Sequence, residues 1–566
     1  MAERKLRLAI LTGDDSEATR QSIQCLIGLP QAEVCGILFD NEQPPFKRRL
    51  RNLRRNIRRE GISYLWYRAG EAVFDRVNSW AEGIVPRREA DALLRESFPR
   101  RAFSLNDFTR IHGIPVIHAG NINSANAAEE LRKLNTELGV VLGTRILKRS
   151  TFSVPAQGSI NLHKGRVPEY RGQPAGFWEI YDQQTIAGVT VHFVDEGLDT
   201  GDILGETSVP IHAKDGPGTL RRKLDIAGSA LLAKCVSQFA EGTAVRRPQP
   251  KSNHKARTSP TRKDRQAIEA RVGSGGQEQA RWLQTLKTLV YLAMYYSGIY
   301  PLVRAWHRRP SHKRNCILLY HRVNNLTHDS LTTGVERFAE HLATLRQYYP
   351  VLQTKQLVEQ LGAADGKRSA GVAIHFDDCY RDVFTNAAQI LARAQIPACA
   401  FVSSGFIGTD RIFPHDLNKC PFQIENLRAE EIAGLVERGF EIGSHTVNHV
   451  DLGQVELRQA VAELEQSKRD LEAILGRNVN LVSYPYGRKW NIRPEVVEVV
   501  KRSGYEAMFS AYGGYVNGNS DLYDIRRIGV SGQHRPLDLL MDIEGLSLGA
   551  LKFRLKGADS RPSEAR

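Results

Sequence analysis

Residues 158–172, GSINLHKGRVPEYRG, decide how the first half of the chain is read: an apolar run stops at an asparagine and a histidine two apart, and a basic loop punctuated by Pro and Gly follows. In a strand, residues two apart share a face, so Asn161 and His163 can converge on one ligand while Leu162 turns the other way. Working back, LRLAILTGD (6–14), AEVCGILFD (32–40) and ELGVVLGTRIL (137–147) read as buried strands separated by stretches of helical periodicity. That alternation predicts an α/β fold with a doubly wound, mostly parallel sheet. Ligands of such sheets gather at the carboxyl ends of the strands, where Asn161 and His163 stand. No GxGxxG follows the first strand, which speaks against a dinucleotide.

At 566 residues the chain exceeds one core, and its 41% hydrophobic and 25% charged residues are ordinary for a globular protein. The net charge of +15 is not ordinary and points to an anionic partner. Seven scattered cysteines with no CxxC spacing argue against a disulfide framework and a zinc ribbon, and so for a reducing compartment. The start, MAERKLRLAILTGDD, offers neither a signal peptide nor a spanning helix. A cytoplasmic location follows as the expectation, with peripheral membrane attachment as its alternative. Nucleic acid is disfavoured, since no recognised binding motif accompanies the charge.

Two segments bear on a membrane, though the first reads equally as an ordinary surface helix with a solvated basic face or as a contact for phosphate. FKRRLRNLRRNIRRE (46–60) places Phe46, Leu50, Leu53 and Ile57 on one face of a helix and eight Lys/Arg on the others. TLVYLAMYYSGIYPLVRAWHRRPSHKR (288–314) has an apolar core from Leu289 to Val303, shorter than the ~20 residues a spanning helix needs, and a basic flank. It suits either a membrane interface, an anionic one in view of the charge, or packing between domains. Before it, KSNHKARTSPTRKDRQ (251–266) and GSGGQEQ (273–279) read as a structureless linker. The expected division is 1–250, a linker with one apolar, basic-flanked helix at 251–314, and 315–566.

From 315 onward strands recur: NCILLYH, GVAIHFDD, ACAFVSS, FEIGSH, LVSYPYG, EAMFSAY and DIRRIGV. Seven such units predict a distorted (β/α) barrel, whose catalytic groups collect at the C-terminal rim.

From Asn161 to Leu204, including GVTVHFVDEGLDTGDIL (188–204), the first half resembles the formyltransferase family, which uses 10-formyltetrahydrofolate. The resemblance implies catalytic roles for Asn161, His163 and Asp199, and places the pteridine along Gly143, Thr144, Arg145, Ile146 and Leu147. The chemistry needs such groups. An amine attacking a formyl carbon makes an oxyanion that Asn161 and a protonated His163 can stabilise, and His163, tuned by Asp199, can move the protons. Many relatives carry SLLP after the histidine; here KGRVP puts Lys164 and Arg166 on the loop, cations suited to a phosphate-bearing acceptor.

HFDD (375–378), SHTVNH (444–449) and SYPYG (483–487) resemble the motifs of the polysaccharide deacetylase family over roughly 315–535. The resemblance implies Asp377 as general base and Asp378, His445 and His449 as ligands of a divalent metal, zinc or similar, with a backbone N–H near Tyr486 at the oxyanion. Ser483 stands where the family often has an arginine that positions the base, so Arg526 or Arg527 is the expected substitute. No LxH motif supplies the leaving-group acid; His534 is the candidate, and His321, at the end of the first barrel strand, is another rim residue without an assigned role.

Together the halves predict a bifunctional enzyme that removes an N-acetyl group from a nucleotide- or lipid-linked amino sugar and N-formylates the freed amine. Two alternatives stay open: formylation followed by deformylation of a lipid-linked amino sugar, and a membrane-peripheral glycan-binding or scaffold protein with one degenerate site.

Overall fold

The computed structural model describes residues 4–550 except 44, 173, 251, 273–276, 328, 363–369, 418, 419 and 421, so the glycine run of the expected linker lies outside the described residues. The chain divides into two compact units, Met1–Ala69 with Pro99–Glu278, and Gly70–Phe98 with Gln279–Arg566.

The first unit is a seven-stranded sheet in the order β3-β2-β1-β4-β5-β6-β7. Its strands are β1 (Leu6–Thr12), β2 (Ala32–Phe39), β3 (Val116–His118), β4 (Leu138–Leu142), β5 (Ser159–His163), β6 (Ile186–Phe193) and β7 (Ile203–Pro210). β1 to β5 pair in parallel, whereas β6 runs antiparallel to β5 and β7 antiparallel to β6. The near-continuous apolar runs of β1 and β4 are buried along their length, as a strand covered on both faces requires. The helices Glu17–Ile27 and Pro217–Ala240 pack on this sheet through Ile23, Leu26, Leu224 and Leu232. The basic helix Phe46–Glu60 forms as its periodicity predicts and has no buried residue.

The second unit holds a seven-stranded, all-parallel sheet in the order β15-β14-β13-β12-β11-β8-β16 and a two-stranded ribbon, β9 with β10. These strands are β8 (Cys316–Tyr320), β9 (Arg322–Val323), β10 (Thr332–Thr333), β11 (Val372–Phe376), β12 (Ala398–Val402), β13 (Phe440–Ser444), β14 (Leu481–Ser483), β15 (Ala507–Phe509) and β16 (Ile528–Gly529). The seven quoted strand segments all appear in the larger sheet. An isolated parallel bridge from Phe509 to Ile525 links β15 to the segment entering β16, and so draws the two ends of the sheet toward one another.

Two expectations change. Residues 262–272 are not structureless: Arg262–Val272 is a helix that buries Ile268 in the first unit's core. A reciprocal cap starts it, Thr261 N and Oγ1 donating to Asp264 and Asp264 N to Thr261 Oγ1. The division of the chain also differs from 1–250, 251–314 and 315–566. Residues 70–98, between β2 and β3, belong to the second unit, where Val77, Ala81 and Ile84 join Tyr291, Leu292, Leu537 and Leu540 in one buried cluster. The apolar segment forms two helices, Gln277–Tyr296 and Ile299–His307, interrupted at Gly298, whose φ of +91° suits glycine. Among the described residues no helix is long and apolar enough to cross a membrane.

Candidate active sites

In the first unit β5 delivers Asn161 and His163 to the carboxyl edge of the sheet, and the antiparallel β6 sets His192 opposite Asn161. A turn after β6, held by Asp195 accepting from Gly197 N and Thr200 Oγ1, presents Asp199 in the left-handed region at φ +54°. Asp199 Oδ2 accepts from Gly172 N at 3.1 Å and lies 3.5 Å from His163 Nδ1. Its Oδ1 accepts from Asn161 Nδ2 at 3.4 Å and lies 3.6 Å from His192 Nε2. Gln249, in the PQP tail, donates to the carbonyls of Asp199 and Gly201 and pins the turn. The structure thus brings Asn161, His163 and Asp199 together.

Backbone carbonyls only accept, which fixes the imidazoles. His163 donates through Nε2 to Tyr170 O and His192 through Nδ1 to Phe193 O, both at 2.8 Å. His192 Nε2 is then free to accept from Asn161 Nδ2 at 3.2 Å. Burial pushes His163 below its ordinary value of 6.5 despite the pull of Asp199. For Asp199 burial opposes ionisation, but the two neighbouring imidazoles and the N–H of Gly172 prevail and hold the carboxyl at about 2. The Asp199 carboxyl is ionised at neutral pH, and burial favours the neutral form of His163 beside it.

A cavity of about 680 Å³ opens on these residues and is also lined by Gly143 to Leu147. Gly143 turns that segment with φ +62°, and Ile146 stands exposed. Arg145 is clamped by Asp40 and Glu42, so its guanidinium is engaged within the protein and the segment meets a ligand through backbone and apolar groups. Of the loop cations, Lys164 lines this cavity while pairing with Asp225, and Arg166 is exposed and does not line it. Arg48, Lys148 and Arg221 line it as well.

In the second unit Asp377 and Asp378 follow β11, His445 follows β13 and His449 sits one turn on; all four are buried. Arg527, fully buried just before β16, grips Asp377 with two hydrogen bonds of 2.7 Å. Ser483 Oγ donates to Asp377 Oδ2 at 2.9 Å and lies 2.7 Å from Arg527 Nη2. Burial opposes the charge on Asp377, yet Arg527 and His445 outweigh it and hold the carboxyl at about 2. Arg526 turns away, its Nε donating to Tyr512.

Asp378 differs from its neighbour. Its backbone is left-handed at φ +65°, and Oδ1 lies 3.4 Å from His445 Nε2 and 3.1 Å from His449 Nε2. Ligand atoms of these three residues all fall within 4.8 Å of one another. His445 donates Nδ1–H to Ser483 O at 2.8 Å, which leaves its Nε2 lone pair facing the carboxylate. Neither oxygen of Asp378 has a hydrogen-bond partner although both are buried, a costly arrangement that a divalent cation among one carboxylate and two imidazoles would relieve. The donor set fits such an ion.

The remaining candidates separate. His321 follows β8 and is partly exposed; burial pushes its imidazole below the ordinary 6.5 against the opposing pull of Asp378 and Asp377. Tyr486 is half-exposed, left-handed at φ +61°, and edge-on to His449 with ring centroids 5.0 Å apart. His534 is engaged elsewhere: its Nδ1 accepts from Ser531 N, and its Nε2 lies 3.1 Å from Asp542. Two histidines escaped sequence reasoning. His192 lies inside a quoted block but meets Asn161 only through the antiparallel pairing. His415, on an irregular segment without periodicity, places Nε2 3.3 Å from Asp378 Oδ2 and 2.9 Å from Tyr380 Oη.

Both sequence resemblances hold. Residues 91–236 match the formyl transferase family model and residues 364–508 the polysaccharide deacetylase model. The methionyl-tRNA formyltransferase of Thermodesulfovibrio yellowstonii is 33% identical over 138 residues, 24% of this chain and 45% of that protein. That of Citrifermentans bemidjiense is 36% identical over 135 residues, 24% and 42% respectively. The chain thus spans less than half the length of these relatives. Among solved structures, the Streptococcus pyogenes deacetylase PplD in complex with acetate is 22% identical with a TM-score of 0.36, covering 41% of this chain and 98% of that one.

Proposed function

We propose that the chain is a bifunctional enzyme that exchanges the N-acyl group of an amino sugar: the second unit hydrolyses an N-acetyl group and the first N-formylates the freed amine from 10-formyltetrahydrofolate. The observation that carries this reading is that two buried clusters, matched to two families, each suit an acyl carbon bonded to nitrogen.

In the hydrolytic half, a divalent cation held by Asp378, His445 and His449 supplies, when bound, Lewis acidity and an acidified water. Asp377, its carboxylate fixed in orientation by Arg527 and Ser483, would accept a proton from the attacking water. His321, at the end of β8, protonates the departing amine, and the Tyr486 N–H serves the oxyanion. In the transfer half Gly143 to Leu147 would hold the folate, which would supply the formyl group, and Asn161, on the same cavity, would steady the oxyanion formed as the amine attacks. His163 relays the proton under the influence of Asp199.

The amino sugar is carried on a nucleotide or a lipid, an anionic carrier group for which Arg48 and Arg221 are suited. Cytoplasmic folate chemistry sets the location, with peripheral attachment to an anionic membrane. Two assembled clusters weigh against a scaffold with a degenerate site.

Purified full-length chain, incubated with 10-formyltetrahydrofolate, Zn²⁺ and nucleotide- or lipid-linked N-acetylated amino sugars, is followed by mass spectrometry. The expected product is lighter than the substrate by one methylene and requires both donor and metal. Formylated sugar returning to free amine would reverse the order of the reactions, and no turnover of any acylated amino sugar would end the enzyme reading.

A further inference from the structure

The helices Gln277–Tyr296 and Ile299–His307 carry their polarity the wrong way round for a protein facing water. Inward they bury Thr285 and Thr288 as well as Tyr291, Leu292 and Tyr300. The two threonine hydroxyls find partners in their own helix, donating to Arg281 O and Gln284 O, and Arg535 Nη2 donates to Thr288 Oγ1. Outward stand Trp282, Leu286, Leu289, Ala293 and Tyr296, spaced i, i+4, i+7, i+11 and i+14 along one stripe. Beyond the break at Gly298 the stripe resumes with Ile299, Leu302 and Trp306. Trp282 is 57% exposed, Tyr296 70% and Leu302 72%, so these are open positions. A surface helix ordinarily presents charged and polar residues there.

Charge says what covers the stripe. From residue 279 to 314 the chain has seven Lys/Arg and no Asp or Glu, and three of the seven, Arg281, Lys287 and Arg314, lie near carboxylates of other segments, Glu71, Asp538 and Glu544. Two of the arginines, Arg308 and Arg309, are exposed directly after Trp306, and the Arg309 guanidinium lies 5.4 Å from the centre of that ring. A second copy of the same face would bring cations against cations, with no carboxylate from this segment to pair them. An anionic bilayer meets both demands: acyl chains take the leucines, and phosphates take the arginines. Trp282 and Trp306 at the ends and Tyr296 at the joint are the amphipathic aromatics that settle at headgroup level.

We propose that this face lies flat in the interfacial layer of a membrane bearing anionic phospholipid, with both helices parallel to its plane. The proposal concerns where the chain sits and stands independently of which acyl group it moves.

Flotation of the full chain with phosphatidylcholine vesicles, with and without phosphatidylglycerol, tests it. The chain should float with the anionic vesicles and lose about tenfold in partitioning as salt rises from low to physiological strength. Leu286→Ser with Leu289→Ser and Trp306→Ser should cut partitioning at least about tenfold, and Arg308→Gln with Arg309→Gln by a similar factor. Because these side chains are exposed, circular dichroism and the melting temperature should hold in both variants. Absence of binding to anionic vesicles at low salt would overturn the proposal, as would binding that the leucine and tryptophan changes leave intact. Equal partitioning to neutral vesicles would remove its electrostatic half. A dimer seen by light scattering and abolished by the same apolar substitutions would assign the face to a second copy instead.

Discussion

Asp199 and Asp378 invite comparison across the two units: Asp199 is partly buried and Asp378 fully, each adopts a left-handed backbone, and each lies beside histidines, His163 and His192 for the first, His445, His449 and His415 for the second. Their oxygens fare differently. Both oxygens of Asp199 accept hydrogen bonds, from Gly172 N and Asn161, and its imidazoles are anchored to backbone carbonyls. Asp378 has no hydrogen-bond donor on either oxygen, while His445 is anchored so that its lone pair faces inward. The first arrangement is complete as a proton-handling cluster. The second is complete only with a positive ion. A histidine–aspartate cluster therefore declares its chemistry through the donors it lacks as much as through the residues it contains.

The strongest way to break this contrast is Asp378→Ala. It should abolish Zn²⁺ binding measured by calorimetry and lower hydrolysis by at least about 10³-fold, with formyl transfer unchanged. Loss of both activities would join the two sites and defeat the distinction. His163→Ala should do the reverse, cutting formyl transfer by about 10²–10⁴-fold in kcat while the hydrolytic rate and Zn²⁺ affinity hold. His415→Ala sharpens the comparison. If His415 orients the second oxygen of Asp378, Zn²⁺ affinity should fall by about 10–100-fold, and His415→Gln, which keeps an N–H within reach, should recover most of it.

The smallest effect belongs to Asp199. Its carboxyl is held at about 2 against an ordinary 3.8, so the native state binds fewer protons than the unfolded chain between those values. The stability it contributes is present in full above about pH 4 and is lost as pH falls through about 2, amounting to about 1–2 kcal/mol. Asp199→Asn should remove that component, visible in urea melts taken at pH 5 and pH 2.5.

Much of this was legible in advance because it is local. Each strand of the second unit's large sheet announces itself as a short apolar run, and the motif aspartates and histidines terminate several of those runs. What escaped depends on pairing between distant segments. β3 is three residues long, too short for a pattern. β6 and β7 read as motif rather than as an antiparallel edge, and His192 was missed with them. His415 lies where no periodicity exists. Arg262–Val272 was visible in principle, since TRKD is a capping box, but the surrounding polarity masked it.

The placement of residues 70–98 bears on how the molecule can be taken apart. A clone that starts near residue 279 or 315 to isolate the hydrolytic half would omit Val77, Ala81 and Ile84, leaving the apolar surface of Leu537 and Leu540 open to water and the product prone to clump. A clone ending near 250 would carry the same helices as unpaired ballast, and would drop the Ile268 plug from its own interior. Dissection therefore calls for splicing rather than cutting: residues 70–98 excised from one fragment with a short bridge, and grafted ahead of the other.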